Sequence, residues 1–320
     1  MSMDLKPLDQ QVIVITGASS GIGLATAESA AKQGAKLVLA ARSGQTLDEV
    51  CQRIKSAGGQ AIYVVADVAK REQIDHVAEV ALQKFGRIDT WVNDAGVSIY
   101  GRLDEVTEED SRRLFDTNFW GVVNGSLAAL PHLKANGGAL INVGSEVSEA
   151  VVPLQGMYAA SKHAVKGFTD ALRVEIEEID EAPVSITLIQ PTAVDTPFPQ
   201  HARNYMDQEA KLPTPQIEPE KVAEAILKAA VKHERDVKVG GGAVLNTTLG
   251  KIAPSLGDKA SAMQVDRQQY HEPPRNPEGT LFQAGEKAGD SGNTHGSGGV
   301  EKEGDLEKAG ARGGAKSSAK

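Results

Sequence analysis

The sequence predicts an α/β fold: a doubly wound parallel sheet of about seven strands with helices on both faces. Short apolar, β-branched runs recur through the first 240 of its 320 residues, and each is followed by a longer stretch of helical period. A glycine-rich turn joins the first run to the first of those stretches. The runs lie at 12–15, 36–41, 61–66, 89–93, 139–143, 184–189 and 236–239. They lack polar alternation, so each reads as a strand covered on both faces. Helices are expected at 22–33, 45–57, 70–85, 107–134, 156–181 and 219–233. Thr107, followed by Asp110, predicts an N-cap, and Pro219 fits the first turn of the last helix. Strand–helix repetition with right-handed crossovers gives the parallel sheet.

Composition removes several functions. Lys and Arg (34) are outnumbered by Asp and Glu (43), a formal net charge of -9, so the chain has no basic footprint for nucleic acid. No apolar run approaches the ~18–20 residues that cross a bilayer. Residues 1–11 have no hydrophobic stretch, so no signal peptide, no membrane partner and a cytoplasmic location are expected. Cys51 is the single cysteine, which excludes an internal disulfide framework, and the seven His have no paired metal-ligand spacing. Of the 33 glycines, 11 fall within residues 279–320, a segment with one aromatic residue, Phe282. Such a segment buries too little apolar surface to offset its ordering entropy and is expected to be a flexible tail.

The glycine-rich turn reads Thr16, Gly17, Ala18, Ser19, Ser20, Gly21, Ile22, Gly23. Gly17 permits a tight turn out of the strand, Gly21 lets backbone approach a pyrophosphate, and Gly23 allows the helix to pack closely on the strand. Free amides at the helix N-terminus, with Ser19 and Ser20 beside them, then face the phosphates.

With that spacing the sequence resembles the short-chain dehydrogenase/reductase family, in its single-domain form with a core of about 250 residues. Further positions carry the resemblance over residues 8–240. Asn93, Asp94, Ala95 and Gly96 end the fourth run; Asn118 lies on the next helix; Ser145 follows the fifth run; Tyr158 and Lys162 stand 13 and 17 residues beyond it; Pro191 to Thr196 follow the sixth. Asp94 stands where the family has Asn and Thr192 where it has Gly. The first change bears on hydrogen bonds supporting the sheet, the second on the shape of the nicotinamide pocket, and neither removes a catalytic group.

The resemblance implies a Rossmann fold holding a nicotinamide dinucleotide. It assigns cofactor contacts to Asn93, Ala95, Gly96, Pro191, Val194 and Thr196, and adenine contacts to Asp67 and Val68, although Asp67 reads equally as a helix N-cap. The end of the second strand selects the cofactor. Ala41 occupies the position where NAD-preferring relatives carry Asp; Arg42 and Ser43 follow. A cation there pairs with the 2′-phosphate of NADP(H), which is favoured over NAD(H).

Tyr158 and Lys162 lie i, i+4 on one helix and share a face. A free phenol titrates near ~10, and a neighbouring ammonium is expected to lower that value so that Tyr158 exchanges protons as general acid/base. Ser145 is placed to hydrogen-bond the substrate oxygen. The resemblance gives Lys162 the nicotinamide ribose and Asn118 a relay water. His163, Cys51 and the acidic cluster from Glu175 to Glu181 read as packed or solvated groups.

Residues 197–219 are expected to form a lid over the site. Phe198, Tyr205 and Met206, with Val147, Val151, Val152 and Leu154, suggest an apolar-tolerant pocket; Ser145, Val147, Tyr158 and Phe198 are its substrate-facing candidates. The expected organisation is an NADP(H)-binding catalytic domain over 1–250, a partly ordered extension over 251–282 and a tail over 283–320. A homodimer or homotetramer follows by resemblance. An NAD-linked alcohol dehydrogenase and a non-catalytic dinucleotide-sensing scaffold are the rival functions.

Overall fold

In the computed structural model, which describes residues 5–241, 262 and 265–285, the seven expected strands form one parallel sheet. β1 (Val12–Thr16) pairs with β2 (Lys36–Ala41) on one side and β4 (Thr90–Asn93) on the other. β3 (Gln60–Val65) lies beyond β2. β6 (Gly138–Val143), β7 (Val184–Pro191) and β9 (Asp236–Val239) extend the sheet beyond β4. The order β3-β2-β1-β4-β6-β7-β9 reverses direction between β1 and β4, and there the carboxyl ends of the strands leave a crevice.

β1, β4, β6 and β7 are buried along their whole length, as their unbroken apolar runs require. The edge strands differ: Tyr63 and Val65 of β3 are 38% and 54% exposed, because an edge strand has no neighbour to cover its outer side.

Helices α1 (Gly21–Lys32), α2 (Gly44–Ser56) and α8 (Pro219–Val231) pack one face. α3 (Arg71–Phe85), α5 (Gly121–Asn136) and α6 (Gly156–Arg173) pack the other. Thr107 caps α4 (Glu108–Phe115) by accepting from the Asp110 amide at 3.2 Å, and Pro219 opens α8, both as expected. The helix expected at 107–134 is not one continuous α-helix: a π turn at Asp116–Trp120 separates α4 from α5. A second π turn, Val174–Ile179, ends α6.

A two-stranded addition was not legible in the sequence. β5 (Ile99–Tyr100) pairs with β8 (Arg203–Asn204), which follows the short helix α7 (Phe198–His201). It ties the 197–219 segment to the loop after β4. Residues 286–320 of the expected tail lie outside the described residues.

Candidate active site

The crevice holds a cavity of about 250 Å³. Among its lining residues are Gly17, Ser19, Ser20, Gly21 and Ile22 from the β1–α1 turn, with Val194 and Thr196 opposite. Gly17 has φ +75°, and a Cβ there would stand 2.8 Å from the Ala95 backbone. Gly23 does not line the cavity. A Cβ on it would meet the Gly17 carbonyl at 2.4 Å, so it serves the close helix-on-turn packing its position predicts. Thr16 braces the turn from below: its hydroxyl donates to the Val92 carbonyl and accepts from the Asp94 and Ala95 amides.

Asn93, expected to contact cofactor, is not brought to the cavity lining, because its side chain is committed within the core. It accepts from Trp91 Nε1 at 2.8 Å and donates to Asn142 Oδ1 at 2.9 Å and Ser126 Oγ at 3.2 Å. Asn142 in turn donates to Thr169 at 3.0 Å. A buried amide left unpaired costs about 1–3 kcal/mol, so the chain of bonds locks β4, β6, α5 and α6 together beneath the site. The Asn-to-Asp departure at position 94 leaves this network intact.

Ala41, Arg42, Ser43, Asp67 and Val68 line the cavity at the ends of β2 and β3, across β1 from Ser145 and Tyr158, with Ala95 and Gly96 after β4 between them. Asp67 does not cap α3, whose N-cap is Lys70. One oxygen accepts from the Ala69 amide and the other from Arg113 at 2.7 Å. Arg42 is drawn below its usual value, first by burial and then by Arg113, with Asp67 opposing; a guanidinium keeps its charge regardless. Arg113 carries no signal in the sequence, where a mid-helix arginine reads as solvated. Thr117 also lines the cavity, and its buried hydroxyl has no hydrogen-bond partner. A groove of glycine backbone, cations and an unpaired hydroxyl fits a dinucleotide.

Ser145, Tyr158 and Lys162 meet at the other end, between β6 and α6. The Ser145 side chain hydrogen-bonds the Tyr158 phenol and also accepts from the Val147 amide. Lys162 donates to the Val143 carbonyl at 2.8 Å and lies 5.7 Å from the Tyr158 ring centroid. Asn118 is fully buried on the π turn, a frequent setting for functional residues. Its side chain spans the Val97 amide and carbonyl (2.8 and 2.9 Å) and Ser161 Oγ (3.1 Å), holding the loop after β4 against α6.

One electrostatic expectation is corrected. Burial raises the Tyr158 phenol above its ordinary value; the Ser145 bond opposes this, and the charges of Asp94 and Glu146 add to it. Lys162, held on the Val143 carbonyl, does not reverse the cost of an uncompensated buried phenolate. Tyr158 is therefore protonated at neutral pH, poised as a donor. Glu146, next to Ser145, is a buried lining residue that the sequence reading passed over.

Burial pushes Asp94 up to about 7 and Lys162 down to about 8, and the charge of each moderates the shift of the other. The signs follow. In the folded state Asp94 keeps its proton where the unfolded chain has lost it, so it costs stability as pH climbs from 3.8 to about 7. Lys162 sheds its proton early, so the fold gains stability from about pH 8 toward 10.5. Asp94→Asn removes the attraction that keeps Lys162 charged. The alkaline limb of the kcat/KM profile is expected to move to lower pH by roughly one unit; a limb that stays in place or moves upward contradicts the coupling.

Phe198 packs on Tyr158, ring centroids 5.4 Å apart at 59°, and with Val147 and Val152 lines the cavity. Other expected pocket residues turn elsewhere. Val151 is 56% exposed, the Tyr205 hydroxyl bonds Asp110 at 2.8 Å, Met206 packs on Tyr100 and Ala202, and Leu154 is not among the lining residues. Leu212 and Pro213 line it from the 197–219 segment instead, and Pro191 and Thr192 from the end of β7. Thr192 finds room beside Gly240, where a Cβ would stand 2.4 Å from its methyl. Cys51 is buried, and its thiol is pushed up to about 11, an inert group. His163 is exposed and bonds the Ala159 carbonyl. No helix among the described residues is long and apolar enough to cross a membrane.

Comparison with known proteins agrees with this geometry. The family model for short chain dehydrogenase matches residues 11–207. An uncharacterized oxidoreductase, YxnA of Bacillus subtilis, is 47% identical over 288 residues, covering 88% of this chain and 81% of its own. The 11-beta-hydroxysteroid dehydrogenase A of Sesamum indicum is 36% identical, covering 71% of this chain and 67% of its own. Among solved structures, a short chain dehydrogenase/reductase from Burkholderia phymatum in complex with NAD superposes with a TM-score of 0.71 at 27% identity, over 79% of this chain and 96% of that one. An alcohol dehydrogenase from the archaeon Thermococcus sibiricus, complexed with 5-hydroxy-NADP, gives 0.62 at 30% identity, over 72% and 94%. On the matched glycine turn, the strand order and these relatives, the chain belongs to the short-chain dehydrogenase/reductase family and is an oxidoreductase.

Proposed function

We propose that the protein interconverts a carbonyl and an alcohol with NADP(H), and that Tyr158 carries the proton. The observation that supports this most is the meeting of Ser145, Tyr158 and Lys162 at one end of a single groove whose other end presents Arg42. The bound dinucleotide supplies the hydride. The protein's work is orientation and proton control. Tyr158, protonated and bonded to Ser145, donates to the oxygen of the carbonyl as its charge develops. Ser145 holds that oxygen by its hydroxyl. Lys162, fixed by the Val143 carbonyl, holds the nicotinamide ribose and keeps a positive charge near the phenol. Asn118 acts as a positioning residue through the Val97 loop. Phe198, Val147 and Val152 give the substrate side an apolar wall and favour a medium or large apolar carbonyl. Arg42, with Ala41 in place of an acidic residue, supports the 2′-phosphate-bearing cofactor.

The test is turnover of NADPH against a panel of apolar aldehydes and ketones, alongside NADH. Turnover with at least one carbonyl, faster with NADPH, is the expected result. Faster turnover with NADH overturns the cofactor assignment, and binding of dinucleotide without turnover on any substrate points to a sensing or scaffold role.

A further inference from the structure

The segment 276–285, which spans the end of the expected partly ordered extension and the start of the expected tail, lies against the active site. Its contacts fall on two sides. Toward the lid, the Thr280 amide donates to the His201 carbonyl at 2.8 Å, and the Pro277 carbonyl accepts from the Asn204 amide at 2.8 Å. Arg203 pairs with Glu278 at 2.6 Å. Gly279, at φ +56°, lets the backbone pass where a Cβ would stand 2.4 Å from the Ala202 carbonyl. Toward the cofactor groove, Arg42 donates from its two terminal nitrogens to the Thr280 and Leu281 carbonyls, the latter at 3.1 Å. Arg113 donates to the same Leu281 carbonyl, also at 3.1 Å. Leu281 itself is 1% exposed, in an apolar cluster with Val97, Leu114 and Tyr158. Thr280, Ala284 and Gly285 line the cavity.

We infer that Leu281 is a positioning residue for cofactor selectivity: by anchoring this segment, it holds two backbone carbonyls against Arg42 and so presets the cation that meets the 2′-phosphate. The inference rests on the NADP(H) reading given above. A guanidinium has five N–H donors, and the segment uses two, leaving the others for a phosphate. Arginine is long and costly to order. A side chain already fixed in the free protein binds without that cost, which is worth about 3- to 10-fold in affinity. The two carbonyls also offset the crowding of Arg42 against Arg113.

The experiment is titration of full-length Leu281→Ala, Leu281→Met, Arg42→Ala and the Leu281→Ala/Arg42→Ala pair with NADPH and NADH. Leu281→Ala is expected to weaken NADPH about 3- to 10-fold with NADH within about 2-fold, and Leu281→Met to restore most of the loss. The double variant is expected to match Arg42→Ala alone, because both changes act on one contact. Losses that multiply, or that fall equally on the two cofactors, overturn the inference. Hydrogen exchange separates it from the cofactor reading. In the protein without dinucleotide, amides of 276–285 are expected to exchange faster in Arg42→Ala than in wild type; unchanged protection overturns the contact. Tighter NADH than NADPH binding by wild type, with the exchange difference intact, overturns the cofactor reading and with it the selectivity role, and leaves standing only the contact between Arg42 and this segment.

Discussion

Tyr158→Phe is expected to reduce kcat about 10³-fold on any carbonyl the protein turns over, with dinucleotide affinity within about 2-fold of wild type. The substitution removes one hydroxyl and leaves the ring that packs on Phe198. Ser145 still accepts from the Val147 amide, so the β6–α6 connection keeps its cap. What is lost is the proton that burial keeps on the phenol at neutral pH. Among the described residues, neither of the two charged neighbours that line the cavity beside it is set to replace it. Lys162 is fixed on the Val143 carbonyl and is assigned the ribose, and Glu146, although a lining residue, is an acceptor when ionised. Single-turnover measurements at saturating cofactor read the chemical step directly. Equal rates for the two proteins exclude Tyr158 as the proton donor.

The second large effect falls on the opposite end of the groove. Arg42→Ala is expected to weaken NADPH about 10- to 100-fold, the worth of hydrogen bonds to a charged partner, and to leave NADH within about 2-fold. Calorimetric titration at two salt concentrations checks it, since the NADPH loss should shrink as screening rises. Arg42→Lys should recover only part, because an ammonium lacks the planar fork that grips phosphate oxygens. A wild type that prefers NADH, with no cost from Arg42→Ala, removes NADP(H) as the cofactor.

Much of the fold was legible because buried parallel strands leave an unmistakable pattern. All seven runs are strands of the main sheet, and the six helical stretches fall where expected, the fourth of them broken by a π turn. That Ser145, Tyr158 and Lys162 line one cavity was legible because they sit at fixed separations on rigid elements. What escaped the sequence depends on tertiary approach. Asn93 sits next to residues that line the groove, yet its side chain turns into the core, since Trp91, Ser126 and Asn142 converge on it from three elements. Tyr205 and Met206 sit in the expected lid but face α4 and the β5–β8 addition, which no local periodicity foretells. The acidity of Tyr158 was misjudged because spacing reveals the neighbouring ammonium and conceals the depth of burial. Leu281 falls within the extension expected to be partly ordered, but composition masked which of its residues is the anchor. Phe282, the conspicuous aromatic, is 50% exposed, while the leucine before it is the buried anchor.

The π turn at 116–120 changes how insertions and deletions should be weighed in this part of the chain. It contains one residue more than a regular α-helical turn, and each residue of an α-helix advances the side chains by about 100°. Deleting any one residue there would regularise the hydrogen bonding while rotating all that follows. Gly125, which must face the Asn93 amide, and Ser126, which bonds it, would both swing off the sheet. A gap of a single position at this turn in an alignment therefore marks a different helix–sheet register, whereas an equal gap in the exposed part of a loop changes little beyond its own span.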